Sequence, residues 1–229
     1  MEDCKIKNLY NLEQTIAKEL LEKYEYPWEV LPHIEEYILK LGNSLDEKEY
    51  IKVKETVWIH KTAKVYESAY IGDNCIICKN AEIRHCAFIR KNAIIGENTV
   101  VGNSTELKNV ILFNNVQVPH YNYVGDSILG YKSHMGAGSI TSNVKSDKKL
   151  IVIKKEDKEK DENEYIETGM KKIGAMLGDN VEVGCGSVLN PGTIIGKNTN
   201  IYPLSSVRGV IKANSIYKNK NEIIDKINQ

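Results

Sequence analysis

Residues 69–107 read AYIGDNCIICKNAEIRHCAFIRKNAIIGENTVVGNSTEL. An aliphatic residue returns at every sixth position of this stretch: Ile71, Ile77, Ile83, Ile89, Ile95, Val101 and Leu107. The series reaches back without a gap through Val65 to Ile59. A second unbroken series follows later, at Leu177, Val183, Leu189, Ile195, Ile201 and Val207. An α-helix repeats every 3.6 residues or so and a strand about every two, so a period of six belongs to neither alone. A short strand plus a corner does have that length. Stacked units of this kind bury one shared interior, which is the signature of a β-solenoid.

The position two residues before each aliphatic is mostly small: Val57, Ala63, Ala69, Cys75, Ala81, Ala87, Ala93, Thr99 and Thr105. Residues two apart share a face of a strand, so each short strand turns one large and one small side chain inward. Glycine often follows the aliphatic, as at Gly72, Gly96, Gly102, Gly184 and Gly196, and Asn or Asp fills the corner, as at Asp73, Asn74, Asn80, Asn92, Asn98 and Asn198. These residues tolerate the partly left-handed backbone of a tight corner. Three hexads would close one triangular coil of about 18 residues.

The 31 basic and 31 acidic side chains of the 229 residues cancel. No basic excess points to nucleic acid, and the apolar runs are too short to span a membrane. Met1-Glu2-Asp3-Cys4-Lys5 opens with acidic residues and no apolar stretch, so no signal peptide is expected, and the five cysteines are read as reduced thiols of a cytoplasmic protein. Cys75 and Cys78, the one Cys-x-x-Cys pair, are read as structural, with Cys75 facing inward. His60, His85, His120 and His134 are too dispersed to build a zinc site, and no metal is expected.

Residues 1–50 have a different texture. Asn11 is placed to cap a helix over residues 12–24, and Pro27 to open a second one through Trp28, Val30, Leu31, Ile34, Ile38 and Leu41, stopped by Gly42. The expected organisation is a helical hairpin over residues 1–50 capping the open end of the solenoid, the solenoid over 51–215, and a tail over 216–229. The period breaks at residues 111–122 and again from about 144 to 172. The second break holds Leu150-Ile151-Val152-Ile153, a charge run over residues 154–164 and Tyr165-Ile166-Glu167-Thr168-Gly169. Two apolar patches around a polar tip predict an inserted β-hairpin at about 145–171 that protrudes with a solvated end.

Three motifs lie at or near these breaks. Gly102-Asn103-Ser104-Thr105-Glu106-Leu107-Lys108 is followed by His120, Tyr123, Gly125 and Asp126 in a His-x-x-Tyr-x-Gly-Asp pattern, then by Gly136-Ala137-Gly138-Ser139-Ile140-Thr141-Ser142-Asn143. Together they resemble the C-terminal domain of the bifunctional uridylyltransferase/glucosamine-1-phosphate acetyltransferases and of related archaeal sugar-phosphate enzymes, over roughly residues 57–210. The resemblance implies a left-handed parallel β-helix, mainly β, and a trimer with its sites shared between subunits. It implies that His120 is the general base, that Arg90, Lys108 and Lys172 bind the sugar phosphate, and that Tyr123 and Asn143 contact the sugar. The arm of acetyl-CoA would run along the outer face of the later coils, past His134, Ala175, Cys185 and Pro203. The residue types suit these roles. Imidazole can take a proton from an attacking amine near neutral pH, and cationic side chains are the ordinary partners of phosphate.

The chain departs from the family pattern on the acyl-donor side. His134 stands where Asn is usual, Val144 where Tyr is usual, and Tyr202-Pro203-Leu204 where the residues are usually small. Residues 1–50 contain one glycine, Gly42, and no glycine-rich nucleotide loop, so no pyrophosphorylase activity is expected of this chain by itself. The function expected is transfer of acetyl from acetyl-CoA to the amine of a hexosamine phosphate, glucosamine-1-phosphate first among them. The alternatives are a sugar-phosphate-binding or regulatory solenoid without catalysis, a subunit partnering a separate nucleotidyltransferase, and a zinc lyase of the carbonic anhydrase type.

Overall fold

The computed structural model describes residues 1–157, 162–218 and 222–225. Its strands wind a parallel β-solenoid of about eight turns with three faces. One face carries the nine-stranded sheet, from Lys64–Val65 through Glu82–Ile83, Val100–Asn103, Gln117–His120 and His134–Met135 onward. The other two share the twelve-stranded sheet, because Tyr70–Ile77, Phe88–Ile95, Glu106–Leu112 and Tyr123–Leu129 bend round a corner and serve both. Successive coils stack in parallel register, Cys75 on Ala93, Ile76 on Ile94 and Ile77 on Ile95. Most corners from Asn74 onward hold a residue at positive φ. Stacked corners form columns such as Asn74, Asn92, Asn109 and Asp126, or Asn80, Asn98 and Asn115. Asn is among the few side chains at ease in that conformation. Its amide also bonds along the column, from Asn74 to Asn92 at 3.0 Å and from Asn180 to Asn198 at 3.1 Å.

The break expected at residues 111–122 is not a break in the winding. Gln117–His120 lies on Val100–Asn103, with Val118 opposite Val101. The interior series continues through Leu112, Val118, Val124, Leu129 and Met135, all fully buried. Two of its steps have five residues instead of six, from Leu107 to Leu112 and from Val124 to Leu129. The corners absorb the loss. Ile89 pairs with Leu107 but Lys91 with Lys108, so Arg90 is left over as a bulge. A one-residue slip inside a strand would turn every inward side chain outward. At a corner it only tightens the bend.

One face is buried on both sides. Its outward residues, Ile76, Ile94, Ile111, Ile128, Met176 and Ile194, are as inaccessible as the inward ones. Over Ile76, Ile94, Ile111 and Ile128 the cover is the N-terminal segment. It runs along the side of the solenoid, not across its end as expected. Tyr10 meets Phe113 with ring centroids 5.0 Å apart, Asn109 donates to the Leu31 carbonyl at 3.2 Å, and Asn92 donates to Glu35 at 3.1 Å. Trp28, Val30, Leu31, Ile34 and Ile38 supply the apolar side. The edge of the first coil is paired by Tyr50–Lys54, antiparallel to Val57–His60.

The expected helix over 12–24 breaks into the 3-10 turn Leu12–Gln14 and the short helix Lys18–Leu21, whereas Ile34–Gly42 is a helix proper. Main-chain groups of this segment bond to solenoid corners, Gln14 accepting from Asn114 and Leu9 from Asp179. Short helices have little stability of their own, so such contacts decide the path. Val152–Asp157 and Glu162–Glu167 pair as an antiparallel hairpin. Its first strand does not protrude: Ile151 and Ile153 are buried, and Gly192 packs against them. The tip, residues 158–161, lies outside the described residues. Part of the expected tail is strand, with Ser215–Lys218 parallel to Asn200–Ile201 and antiparallel to Glu222–Asp225.

Ile94→Ala is expected to cost about as much stability as Ile95→Ala, roughly 2–4 kcal/mol each, since both leave a cavity in packed surroundings. Urea unfolding followed by circular dichroism measures both. A negligible cost at Ile94 would mean that the N-terminal segment does not cover this face.

Candidate functional site

His120 ends the strand Gln117–His120 at a corner, and its side chain is exposed. Its backbone is held firmly. Its N–H donates to the Asn122 side-chain oxygen at 3.1 Å, and its carbonyl accepts from Gly138 at 3.0 Å. Asn122 is buried and donates in turn to the carbonyls of Gly136 and Ser139, at 2.9 and 3.0 Å. Below the corner a Cβ on Gly102 would lie 1.6 Å from the Pro119 carbonyl oxygen, so the coils can meet under His120 only with glycine there. Among the described residues the imidazole makes no hydrogen bond, which leaves both ring nitrogens open to a ligand.

The strand running on from Tyr123 crosses about 10 Å of sheet, at some 3.3 Å per residue, and reaches the next corner at Asp126. Here three donors converge on one buried carboxylate. Lys108 Nζ lies 2.7 Å from Asp126 Oδ1, Asn109 Nδ2 3.1 Å from the same oxygen, and Asn143 Nδ2 2.6 Å from Oδ2. Asn143 also donates to the Tyr123 hydroxyl at 3.3 Å. Burial holds the Tyr123 phenol above its usual range, helped by the Asp126 and Glu106 carboxylates, so it stays a neutral hydroxyl with a proton to donate. Arg90, the bulged residue, is more than half exposed and pairs with Glu106 at 3.3 Å. Lys172 is exposed and precedes Ile173, whose N–H donates to the Asn143 carbonyl at 3.1 Å. Gly174 N–H donates to the Asp126 carbonyl at 2.8 Å, so the inserted hairpin rejoins the solenoid at this corner.

The residues expected to hold a sugar phosphate therefore gather at one corner, with His120 across the sheet at another. The residues expected along the coenzyme arm divide. Cys185 and Pro203 are exposed and continue the His120 corner, linked rung to rung by Gly186 N–H to the Ala137 carbonyl and Leu204 N–H to the Cys185 carbonyl, both 2.9 Å. His134 lies on the nine-stranded face, where Nδ1 meets Glu182 at 2.8 Å. Ala175 does not fit the expectation. It is fully buried as the small inward residue of its strand and presents no surface to a ligand. Leu204 is 82% exposed beside that track.

Three residues that the sequence reading gave no role of their own tie these corners together: Asp126 and Glu106, named only within motifs, and Asn122, which stands at an unassigned motif position. One signal was available for Asp126: it stands in a corner column whose other members are Asn74, Asn92 and Asn109. Cys75 and Cys78 play no part here. Both are buried, and burial pushes each thiol up to about 12, far from a reactive thiolate. Among the described residues no three His, Cys, Asp or Glu side chains gather to hold a metal, and no helix is long and apolar enough to cross a membrane.

Gly125→Ala probes this corner selectively. The new Cβ would sit 2.5 Å from the Tyr123 hydroxyl oxygen, at the far end of a movable side chain. The expected outcome is a folded protein whose sugar-phosphate affinity falls by about tenfold, the worth of roughly one polar contact. Titration calorimetry measures this, and unchanged affinity would remove Tyr123 from the site.

The family described as the GMPPB C-terminal domain matches residues 73–156, and the bacterial transferase hexapeptide (six repeats) matches residues 50–85. The bifunctional protein GlmU of Methanococcus aeolicus is 36% identical over 120 residues, which is 52% of this chain and 27% of that protein. The bifunctional sugar-1-phosphate nucleotidylyltransferase/acetyltransferase of Sulfurisphaera tokodaii is 31% identical over 96 residues, 42% of this chain and 22% of its own. The match thus spans about a quarter of the length of these curated relatives. Among solved structures, a mutant of GDP-perosamine N-acetyl transferase from Caulobacter crescentus, in complex with CoA and GDP-perosamine, has a TM-score of 0.29. It is 18% identical, over 74% of this chain and 56% of that one. By repeat, by stacking register and by the relatives it matches, the chain is a hexapeptide-repeat β-solenoid similar to the bifunctional GlmU proteins.

Proposed function

We propose that the protein transfers acetyl from acetyl-CoA to the amine of a hexosamine phosphate, with glucosamine-1-phosphate the first substrate to test. The observation that carries this reading is the pair of corners: an exposed histidine with a fixed backbone at one, and a polar cluster of Lys108, Asn143, Tyr123 and Asp126 beside Arg90 at the other. In the reaction the amine attacks the thioester carbonyl, His120 takes the amine proton, and coenzyme A leaves as thiolate and is reprotonated. Arg90, Lys108 and Lys172 would hold the phosphate, while Tyr123 and Asn143 would hold the sugar. The coenzyme arm would follow the corner of Cys185 and Pro203. The protein would work in the cytoplasm as a homotrimer, with no metal needed for acyl transfer. The name of the Sulfurisphaera tokodaii relative joins acetyl transfer to nucleotidyl transfer, which supports a place beside a nucleotidyltransferase.

A second reading, a binding solenoid without catalysis, is favoured by the donor side: Ala175 is buried, His134 is tied to Glu182, and Leu204 projects beside the track. One calorimetric titration with glucosamine-1-phosphate and then acetyl-CoA, joined to an assay for released coenzyme A thiol, separates them. Binding of both with thiol release supports the transferase. Binding of the sugar phosphate without acetyl-CoA supports the binding module, and binding of neither rejects both.

A further inference from the structure

We propose that Asp126 is a positioning residue: its buried carboxylate holds the Lys108 ammonium and the Asn143 amide in the arrangement that a phosphorylated sugar meets. The inference rests on the sugar-phosphate reading above and extends it to a residue that would touch no ligand. Asp126 is 3% exposed. It sits at positive φ in the column of Asn74, Asn92 and Asn109, where asparagine is the usual occupant. Asparagine would fill the same space and accept the same backbone. The chemistry of the neighbours selects the acid. Lys108 Nζ, Asn109 Nδ2 and Asn143 Nδ2 all donate, and all three point at this side chain. A carboxylate only accepts and serves all three with two oxygens, whereas an asparagine amide would set its own N–H groups against one of these donors.

The arrangement limits what the partners can do. An ammonium has three donors, and Asp126 occupies one of Lys108's, which fixes the axis of the other two. Lys108 is mostly buried, so without this anchor the long side chain would have several rotamers to choose from. Asn143 gives Asp126 one amide hydrogen and Tyr123 the other, so its side-chain oxygen is the group left for a ligand. The tightened corners place these groups together. The step from Leu107 to Leu112 contains Lys108 and Asn109, and that from Val124 to Leu129 contains Gly125 and Asp126. Each is one residue short of the repeat.

The test uses the full chain with Asp126→Asn, Lys108→Ala and the double variant. Labelling with the N-hydroxysuccinimide ester of acetic acid, read by peptide mass spectrometry, compares Lys108 with exposed Lys91. Lys108 is expected to be protected in the unmodified protein and to lose that protection in Asp126→Asn. The dissociation constant for glucosamine-1-phosphate should rise about 10- to 100-fold, the range of a charge-assisted contact. In turnover the loss should fall on KM while kcat changes little, and the double variant should bind no worse than the weaker single one. Additive losses, or unchanged binding in Asp126→Asn, would overturn the proposal. If Asp126→Asn does not fold, a cycle between Lys108→Ala and Asn143→Ala reads the same hub, where coupling upholds it and additivity overturns it. Absence of glucosamine-1-phosphate binding by the unmodified protein, with Lys108 still released in Asp126→Asn, counts against the sugar-phosphate reading and upholds the contact. Unchanged labelling counts against the contact whatever the ligand.

Discussion

His120→Ala is expected to lower the rate of acetyl transfer by about two to four orders of magnitude, the usual scale for a general base. Affinity for the sugar phosphate should change little, because Arg90, Lys108 and Lys172 lie at the neighbouring corner. The fold should be untouched as well. The imidazole is exposed, and the contacts that shape the corner are made by the main chain of residue 120 with Asn122 and Gly138, which alanine keeps. Steady-state kinetics paired with calorimetry decides it. Equal rates in the two proteins would take His120 out of the chemistry, and a large loss of affinity with kcat preserved would make it a ligand contact.

Deletion of residues 1–45 is expected to be the most damaging change to the fold. It uncovers Ile76, Ile94, Ile111 and Ile128 along one continuous face. Burial of one large aliphatic side chain is worth about 1.5–3 kcal/mol. A stripe of this kind therefore matters on the scale of about 5–15 kcal/mol that holds a whole domain together. Exposed, it is also an apolar patch of the sort that drives association. The truncated chain should aggregate, or unfold at a much lower urea midpoint. Size-exclusion chromatography and urea unfolding test this, and a soluble product with an unchanged midpoint would show that the segment contributes nothing to the solenoid.

Both expectations depend on features that differ in how far they can be read from the chain. The hexad period was legible because it is local: the same strand and corner recur, each with an aliphatic facing inward and an Asn or Gly at the bend. The doubly buried face was also written there, in adjacent pairs such as Ile76-Ile77, Ile94-Ile95 and Ile111-Leu112 at every third hexad. What covers that face was not. The N-terminal apolar residues were visible as helix-forming material, but whether they lie across the end of the solenoid or along its side depends on contacts such as Tyr10 with Phe113, more than a hundred residues away. The motifs likewise marked His120, Lys108, Tyr123 and Asn143.

The meaning of the irregular spacing around them needed the tertiary structure. In sequence, a five-residue step looks like a lapse of the repeat. In three dimensions it is a tightened corner, and the winding goes on. The role of Asp126 is of the same kind. Its identity is plain in the chain, yet its three donors come from positions 108, 109 and 143 and meet only when successive coils are stacked. Ala175 shows the converse, a residue assigned to the surface by motif and drawn into the interior by the register of its strand. The sequence by itself determined the solenoid, because a repeating local conformation leaves a repeating local pattern. The tertiary structure alone decided what covers that face and how the Asp126 hub forms, because packing partners and charge pairing are set by neighbours that the chain reaches only after a full turn or more.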